Sequence, residues 1–156
     1  MSPGYALLTA IIGCVTAAIL EGICAGGNVR PFYRTLHFPR YSAPLWVWSI
    51  IGGLYYLIFC FLIYRLLRLG FDSAVKSFAL VLIVFMMLVN ALTNYVIFRA
   101  QNLWVSFLIG SVFPVLDITL FVLVLFLDAI ATLSLVPYLI YRVYAVWWGY
   151  ALWKIN

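Results

Sequence analysis

Five apolar segments, each long enough to cross a bilayer, determine most of what this chain can fold into. They cover residues 5–25, 44–67, 74–98, 103–127 and 129–153. A helix needs about 20 mostly apolar residues to span the hydrocarbon of a membrane. The connections after the second, third and fourth segments are short, which favours antiparallel neighbours. The sequence therefore predicts an all-α membrane protein, a single domain over residues 1–156 in which five transmembrane helices form a bundle.

The scarcity of charged residues supports the same prediction. Only 8% of the 156 residues are charged and 68% are hydrophobic, whereas a soluble globular protein carries about 25% charged residues. The lipid bilayer must therefore be the main solvent. The net charge of +5 does not indicate nucleic-acid binding, because the basic residues lie mostly between apolar segments. Cys14, Cys24 and Cys60 have spacings that fit no metal site, so we expect no metal and interpret them as small buried side chains.

The connection between the first two segments, GNVRPFYRTLHFPRYSA, is longer than the others and rich in aromatics and arginine. This composition predicts an ordered capping loop over one end of the bundle. The first segment is expected to remain in the protein, since no basic residue precedes it and Glu21 interrupts it. Basic residues near the segment ends number five on the side of this loop and the C-terminus against three opposite. This weak bias predicts that both lie in the cytoplasm.

Small residues recur at helical spacing in the first segment. Gly22 and Gly26 form a GxxxG pair, Gly13 is followed by Ala17, and Ala18 by Gly22. This spacing favours close helix contacts within lipid, although it also arises by chance in a segment rich in glycine and alanine.

Three ionisable residues, Glu21, Asp117 and Arg142, lie well inside the apolar segments. Each costs at least ~2.5 kcal/mol there unless it is paired or hydrated. The fourth and fifth segments reverse near Asp128, with Asp117 about 11 residues before and Arg142 about 14 after, so their depths differ by roughly 5 Å. We therefore hypothesise an Asp117–Arg142 ion pair. It either links two helices structurally or lies on the wall of a cavity that holds a carboxylate-bearing ligand.

The remaining polar residues of the segments have two interpretations each. Glu21 is expected to meet Arg30 or Arg34 of the capping loop, or to be a plain carboxylate at the membrane interface. Asn90 and Asn94 lie one turn apart on one helical face, which should point inward. They either form hydrogen bonds between helices or contact a ligand.

Motifs in a recognisable order cover nearly the whole chain. FYRTLHFPRYSAPLWVW runs into the second segment, PYLIYRVYA lies in the fifth, and the chain ends in Ile-Asn. These stretches resemble the TspO/translocator proteins, also called tryptophan-rich sensory proteins or peripheral benzodiazepine receptors. The matching positions are Tyr33, Leu36, Pro39, Pro44, Trp46, Val47, Tyr56, Asn90, Phe98, Trp104, Pro137, Tyr138, Leu139, Ala145, Ile155 and Asn156. Positions that are usually tryptophan in the family hold Phe32, Tyr41, Gly52, Thr93 and Tyr141 here.

The resemblance, to a divergent member, implies a five-helix bundle with an internal chamber that opens toward the first connection. Members bind porphyrins, sterols and isoquinoline-type ligands and often dimerise, so a homodimer is expected. The residues carried over to the chamber wall are Trp48, Ile51, Gly52, Asn90, Thr93, Trp104, Tyr141, Ala145 and Trp148, with Arg142 beside them in the fifth helix. Loss of large indoles predicts a larger or reshaped chamber and argues against porphyrin photochemistry that depends on them.

Two copies of a proposed sterol-contact pattern occur in the fifth segment. One uses Val136, Tyr138 and Arg142, and the other uses Val146, Tyr150 and Lys154. The pattern is weak, and chance explains it well in a helix this rich in aromatics.

The predicted function is binding of a planar hydrophobic ligand, such as a porphyrin, haem or sterol, inside the bundle, with transport or sensing as its purpose. The alternative is a membrane-embedded enzyme that acts on a sterol-like or porphyrin substrate, with Glu21 or Asp117 as the acid–base group. His37, the single histidine, lies in the capping loop. No nucleophile triad, metal site or phosphate loop is recognisable, so we assign no catalytic residue and expect no resident cofactor.

Overall fold

The helices of the computed structural model, which describes residues 1–156, follow the apolar segments. They are α1 (Pro3–Ala25), α2 (Val29–Thr35), α3 (Leu45–Arg68), α4 (Ala74–Phe98), α5 (Leu103–Leu125) and α6 (Ala129–Ile155). All except α2 are long and apolar enough to span a membrane. The prediction of an all-α bundle with five membrane-spanning helices is confirmed, and the protein is an integral, multi-pass membrane protein.

Short polar side chains fix where four of the long helices begin. Ser2, Ser73, Asn102 and Asp128 each accept a hydrogen bond from a backbone N–H in the first turn of the helix that follows. Such caps satisfy donors that have no partner within the helix. Because of the Ser2 cap and a proline in the first turn, α1 begins two residues before the predicted boundary. The structure also ends α5 at residue 125, short of the predicted 127, and extends α6 to residue 155.

The five long helices form a closed ring. Following the ring, α1 packs against α3, α3 against α6, α6 against α5, α5 against α4, and α4 again against α1. Helices α3 and α4 are consecutive but touch over only a short stretch, because α1 lies between them. The expectation that consecutive helices are close neighbours is therefore right for α4, α5 and α6 and only weakly met by α3 and α4.

Helix α1 enters the ring with its smallest side chains. Ala6, Ala10 and Cys14, spaced four residues apart, are its buried residues. Gly13 and Gly22 are exposed, and a β-carbon on either would meet nothing within 4 Å. No contact between α1 and another helix of this chain runs through Gly13 or Gly22, because the buried face of α1 lies on another side.

Gly26 has a different reason to be glycine. It ends α1 with a φ of 69°, in the left-handed region that side chains disfavour. A β-carbon there would lie 2.8 Å from Nε of Arg99, whose Nη2 donates to the carbonyl of Ile23 at 2.7 Å. The second glycine of the GxxxG pair thus closes a helix end instead of forming a helix–helix contact.

The bundle has a solid half and a hollow half. We call the segment 26–44, which contains α2, the cap. Fully buried large side chains concentrate in the half remote from the cap, here the distal half: Phe59, Leu62, Leu66, Ile83, Met86, Phe113, Leu120, Val124 and Leu135. In the half beneath the cap, the cap half, few side chains are fully buried, and a cavity takes the place of the core.

Candidate functional site

The cavity of the cap half has a volume of about 230 Å³. All five long helices and the cap contribute to its wall, and 16 of the 25 lining residues are hydrophobic. The apolar and aromatic lining carries a small number of polar groups, which are Glu21, Asn90, Asn94 and Arg142 together with several hydroxyls. A concave, mostly apolar site with a few polar groups is the usual form of a small-molecule site.

Aromatic rings build the wall next to the cap. The ring centroid of Trp48 lies 4.5 Å from that of Trp148 and 6.1 Å from that of Tyr141. Both indoles donate hydrogen bonds into the cap, Trp48 to the carbonyl of Ala43 at 3.1 Å and Trp148 to the hydroxyl of Ser42 at 2.7 Å. The same two indoles therefore face the cavity and hold the cap in place.

The cap is fastened further along α6. The hydroxyl of Tyr144 accepts from the backbone N–H of Ala43 at 3.1 Å and donates to the carbonyl of Tyr41 at 2.9 Å. The amide of Asn156 accepts from the backbone N–H of His37 at 2.8 Å and donates to its carbonyl at 2.9 Å. These contacts give the cap a defined position over the cavity.

Glu21 lies on the inner face of α1 and lines the cavity. Its Oε2 accepts hydrogen bonds from the hydroxyl of Tyr56 at 2.6 Å and from Nδ2 of Asn90 at 2.9 Å, and its Oε1 accepts from Nδ2 of Asn94 at 2.9 Å. One carboxylate thus connects α1 with α3 and α4. The inward direction of Asn90 and Asn94 agrees with the sequence prediction, and both amides bond to an acid on a neighbouring helix.

Neither prediction for Glu21, contact with Arg30 or Arg34 or a plain position at the membrane interface, is correct. Arg30 and Arg34 are exposed, and no ion pair joins either one to Glu21. Both arginines lie on the outer side of the cap, whereas the carboxylate points into the ring. Glu21 is therefore neither a partner of the cap arginines nor a plain interfacial residue.

Asp117 on α5 and Arg142 on α6 lie side by side. Nε of Arg142 is 3.1 Å from Oδ2 of Asp117, and their side chains are 12% and 1% exposed. The N–H direction does not fit a hydrogen bond, so both carboxylate oxygens lack a donor and the contact is one of charge. Nη2 of Arg142 donates to the hydroxyl of Tyr138, and its guanidinium lies 4.2 Å from the ring centroid of Phe113. Arg142 lines the cavity, whereas Asp117 lies behind it.

Three of the four acidic residues have a basic partner. Besides Asp117, Asp128 receives two hydrogen bonds from Arg65, at 2.7 and 2.9 Å, and Asp72 lies 2.6 Å from Nζ of Lys76. Glu21 has no basic group within the 4.0 Å of an ion pair. Glu21 therefore leaves the cavity wall with a negative charge that no neighbouring residue neutralises.

The profile of the TspO/MBR family matches residues 10–154. The chain belongs to the TspO/MBR family. A search of curated proteins finds no match to this chain. Proteins of the TspO/MBR family are generally binding or sensing proteins and not enzymes.

The chamber residues implied by the TspO/MBR resemblance mostly meet at one cavity. Those that line it are Trp48, Ile51, Gly52, Asn90, Thr93, Tyr141, Arg142, Ala145 and Trp148. Trp104 does not, which corrects its assignment. The inner face of α5 carries residues 103, 106, 107 and 110, so residue 104 points away from the ring. Its indole packs instead on Trp153, with ring centroids 4.3 Å apart.

Lining residues that the sequence analysis missed follow the same helical spacing. Tyr55 lies three positions after Gly52 on α3, and Phe107 lies on the inner face of α5. Extending the positions of Ile51 and Gly52 by four and three residues along α3 would have found Tyr55. Trp104, the family position on α5, does not line the cavity, so no reliable signal for Phe107 was present in the sequence.

The first sterol-contact pattern is not accessible to lipid. Tyr138 is 3% exposed, and Arg142 is enclosed between Asp117, Tyr138 and the cavity. A sterol in the surrounding bilayer cannot reach these two side chains, so the pattern does not mark a lipid-facing sterol site. Both side chains instead line the cavity. Tyr150 of the second copy is 46% exposed and remains available.

Proposed function

We propose that this TspO/MBR protein binds a planar hydrophobic molecule, such as a tetrapyrrole or a sterol, in the cavity of the cap half, and that binding serves transport or sensing of that molecule. The observation that carries the proposal is the division of the bundle. The distal half is packed solidly, whereas the cap half leaves about 230 Å³ empty between aromatic walls. Large aromatic side chains around an empty space favour a flat apolar ligand.

The size of the cavity implies movement of the cap. Pockets for drug-sized ligands measure roughly 300–1,000 Å³, so the 230 Å³ cavity is too small for a whole tetrapyrrole. Tyr33 and Leu36 of the cap belong to the lining. Outward displacement of these two side chains would enlarge the site without disturbing the distal core.

The enzymatic alternative has less support. Asp117 does not line the cavity, and both oxygens of Glu21 already accept hydrogen bonds. An acid–base catalyst must reach the reacting atom directly or through one water. No second carboxylate stands beside Glu21 for such a role.

Filling the cavity tests the proposal. A β-carbon at Gly52 meets nothing within 4 Å and the residue lines the cavity, so Gly52→Leu should occupy the site without a clash. Gly53 is exposed, is equally unobstructed, and does not line the cavity, so Gly53→Leu is the matched control on the same helix. Both substitutions raise helix propensity by a similar amount.

The measurement is quenching of tryptophan fluorescence by a panel of porphyrins, haem and sterols in detergent micelles. Trp48 and Trp148 line the cavity and report directly on a bound ligand. We expect a member of the panel to bind the natural protein and the Gly53→Leu variant alike and to bind Gly52→Leu at least about tenfold more weakly, the equivalent of ~1.4 kcal/mol. Equal affinity for all three proteins would contradict a site in this cavity.

A further inference from the structure

Glu21 is the one acidic side chain that both faces the cavity and lacks a basic partner. Arg142 lines the same cavity, but Asp117 lies 3.1 Å from it and balances its charge. The three neighbours of Glu21 all donate hydrogen bonds to it, which is the pattern of an ionised carboxylate. The negative charge of Glu21 is thus solvated by neutral donors only, and the cavity side is where a cation would balance it.

A second polar group, enclosed at the wall of the same cavity, has no partner. Tyr55 lines the cavity and is 6% exposed, and its hydroxyl forms no hydrogen bond. A buried hydroxyl without a partner is unfavourable, so a ligand group that bonds to it recovers part of this cost. Its ring lies 5.0 Å from that of Tyr56, which donates to Glu21. Tyr55 therefore lies next to the residues that bind Glu21. We call Glu21, Tyr55, Tyr56, Asn90 and Asn94 the polar corner.

We propose that this polar corner binds a protonated amine carried on a flat apolar ligand body. Glu21 accepts from the ammonium group, and the enclosed hydroxyl of Tyr55 accepts a second hydrogen bond from it after a shift of its ring toward the cavity. This inference rests on the proposed function, since the apolar body occupies the aromatic part of the cavity. An ammonium has three donors and no acceptor, which matches two acceptors that have no other cationic partner. Aromatic faces next to the site stabilise a cation further.

The charge balance of the cavity sets the order of affinities. An ammonium neutralises Glu21, an alcohol provides a hydrogen bond without charge, and a carboxylate meets Glu21 as a like charge. Arg142 offers little to a carboxylate, because Asp117 and Tyr138 already contact its guanidinium. The ligand class that the chain selects is accordingly an aromatic or polycyclic amine in preference to an organic acid.

Three pyrene probes of nearly equal size test the proposal: pyrenylmethylammonium, pyrenemethanol and pyrenecarboxylate. Energy transfer from tryptophan to pyrene measures binding to the protein in uncharged micelles, after correction for the partition of each probe into empty micelles. We expect the natural protein to bind the ammonium probe about tenfold or more tighter than the alcohol, since hydrogen bonds to a charged group are stronger than those between neutral groups. The carboxylate should bind most weakly.

Two substitutions assign the selectivity to the polar corner. Glu21→Gln should weaken binding of the ammonium probe by about tenfold or more and change that of the alcohol by less than about twofold. Tyr55→Phe removes only the unpartnered hydroxyl, so it should fold normally and weaken the ammonium probe several-fold. Asp72→Asn, which removes one negative charge from a fully exposed side chain outside the cavity, is the control and should change none of the three affinities.

The outcomes separate this inference from the proposed function. Equal binding of the three probes by the natural protein, or an ammonium affinity that survives both Glu21→Gln and Tyr55→Phe, would overturn the ammonium site while leaving the cavity as a ligand site. Failure of every probe to bind, together with an equal response of Gly52→Leu and Gly53→Leu, would overturn both. If Glu21→Gln does not fold, the ranking of probes by the natural protein and the response of Tyr55→Phe decide the question.

Discussion

Asp117 and Arg142 stand at the same depth on adjacent helices, and each is buried beside the other. A single charge at this position would cost several kcal/mol in lipid or in the bundle. The guanidinium is also held by the hydroxyl of Tyr138 and the ring of Phe113. At the scale of single residues, the stability of α5 against α6 should therefore depend on both charges being present or both absent.

Removal of both charges together should cost less stability than the sum of the two single removals, because each single removal leaves a buried charge without its partner. We expect Asp117→Asn or Arg142→Gln alone to lower the free energy of unfolding by about 3–5 kcal/mol, because each leaves an uncompensated buried charge. The double variant should lose clearly less than the sum of the two. Denaturation in mixed micelles measures all four proteins, and additive losses would show that the two side chains do not interact.

Asp128 gives the bundle a pH-dependent contribution to stability. Hydrogen bonds from Arg65 lower the pKa of this carboxyl, burial opposes them, and the N–H of Ala131 lowers it further. The unfolded chain therefore binds the proton more readily than the folded protein, and stability rises with pH across this window. The contribution is complete above the usual aspartate pKa of about 3.9 and is lost as pH falls through the lower pKa of the folded state.

We expect thermal unfolding in micelles to show this loss as the pH falls below about 4. Asp128→Asn lacks the titrating group, so it should be less stable than the natural protein at neutral pH, and the difference should shrink as pH falls. A difference in melting temperature that stays constant down to pH 2 would contradict the assignment to Asp128.

The sequence predicted the pairing partner of Arg142 but not that of Glu21, and geometry explains why. Asp117 and Arg142 are related through one short turn, so counting residues from Asp128 was enough to compare their depths. Glu21 meets residues on α3 and α4, which are far from it along the chain. Its partners depend on the ring order of the helices, and no count of residues contains that order.

At the scale of elements, the cap is held in place by hydrogen bonds more than by packing. Helix α2 has seven residues and none of them is buried, so propensity and packing contribute little to its stability. Side chains of α3 and α6 hold the cap through its backbone instead, with Tyr144 contacting both Tyr41 and Ala43. If ligand access requires the cap to shift, these hydrogen bonds set how often it opens.

We expect Tyr144→Phe to loosen the cap selectively. The substitution removes two hydrogen bonds, each worth about 1 kcal/mol, and leaves the N–H of Ala43 without its acceptor. Hydrogen exchange of that amide should accelerate about tenfold or more, and the rate of ligand binding should rise. Tyr150 makes no hydrogen bond to the cap and lies on the same helix, so Tyr150→Phe should leave both rates unchanged, and a similar response of the two variants would contradict the role of Tyr144.

The sequence patterns predicted the long helices well and the short helix not at all. Long apolar segments predicted all five spanning helices with ends within about two residues, because bilayer thickness imposes their length. Helix α2 was not predicted, since seven residues that include Pro31 carry no periodic apolar face. Gly13 and Gly22 show the same limit, because small-residue spacing does not say which face of α1 meets the ring.

At the scale of the whole molecule, stability and binding are assigned to opposite ends of one bundle. The distal half contains most of the fully buried large side chains, and the cap half contains the cavity. Composition and periodicity predicted a bundle but gave no reason for it to be hollow. The prediction of a chamber came from the family motifs. An empty volume depends on which side chains do not pack against each other, and that is a property of the three-dimensional structure.

This division predicts that substitutions in the two halves have separable effects. Phe59 is fully buried and packs on the rings of Tyr55 and Tyr138, so Phe59→Ala should lower the free energy of unfolding by about 3–5 kcal/mol. Ile51 already faces the cavity, so Ile51→Ala removes fewer packing contacts and should cost less stability while changing the affinity for porphyrins or sterols. Both quantities are measured on the same preparations, by denaturation in mixed micelles and by tryptophan quenching. A larger loss of stability in Ile51→Ala than in Phe59→Ala would mean that the cap half, and not the distal half, carries the core, because the cost of truncation follows the packing that is removed.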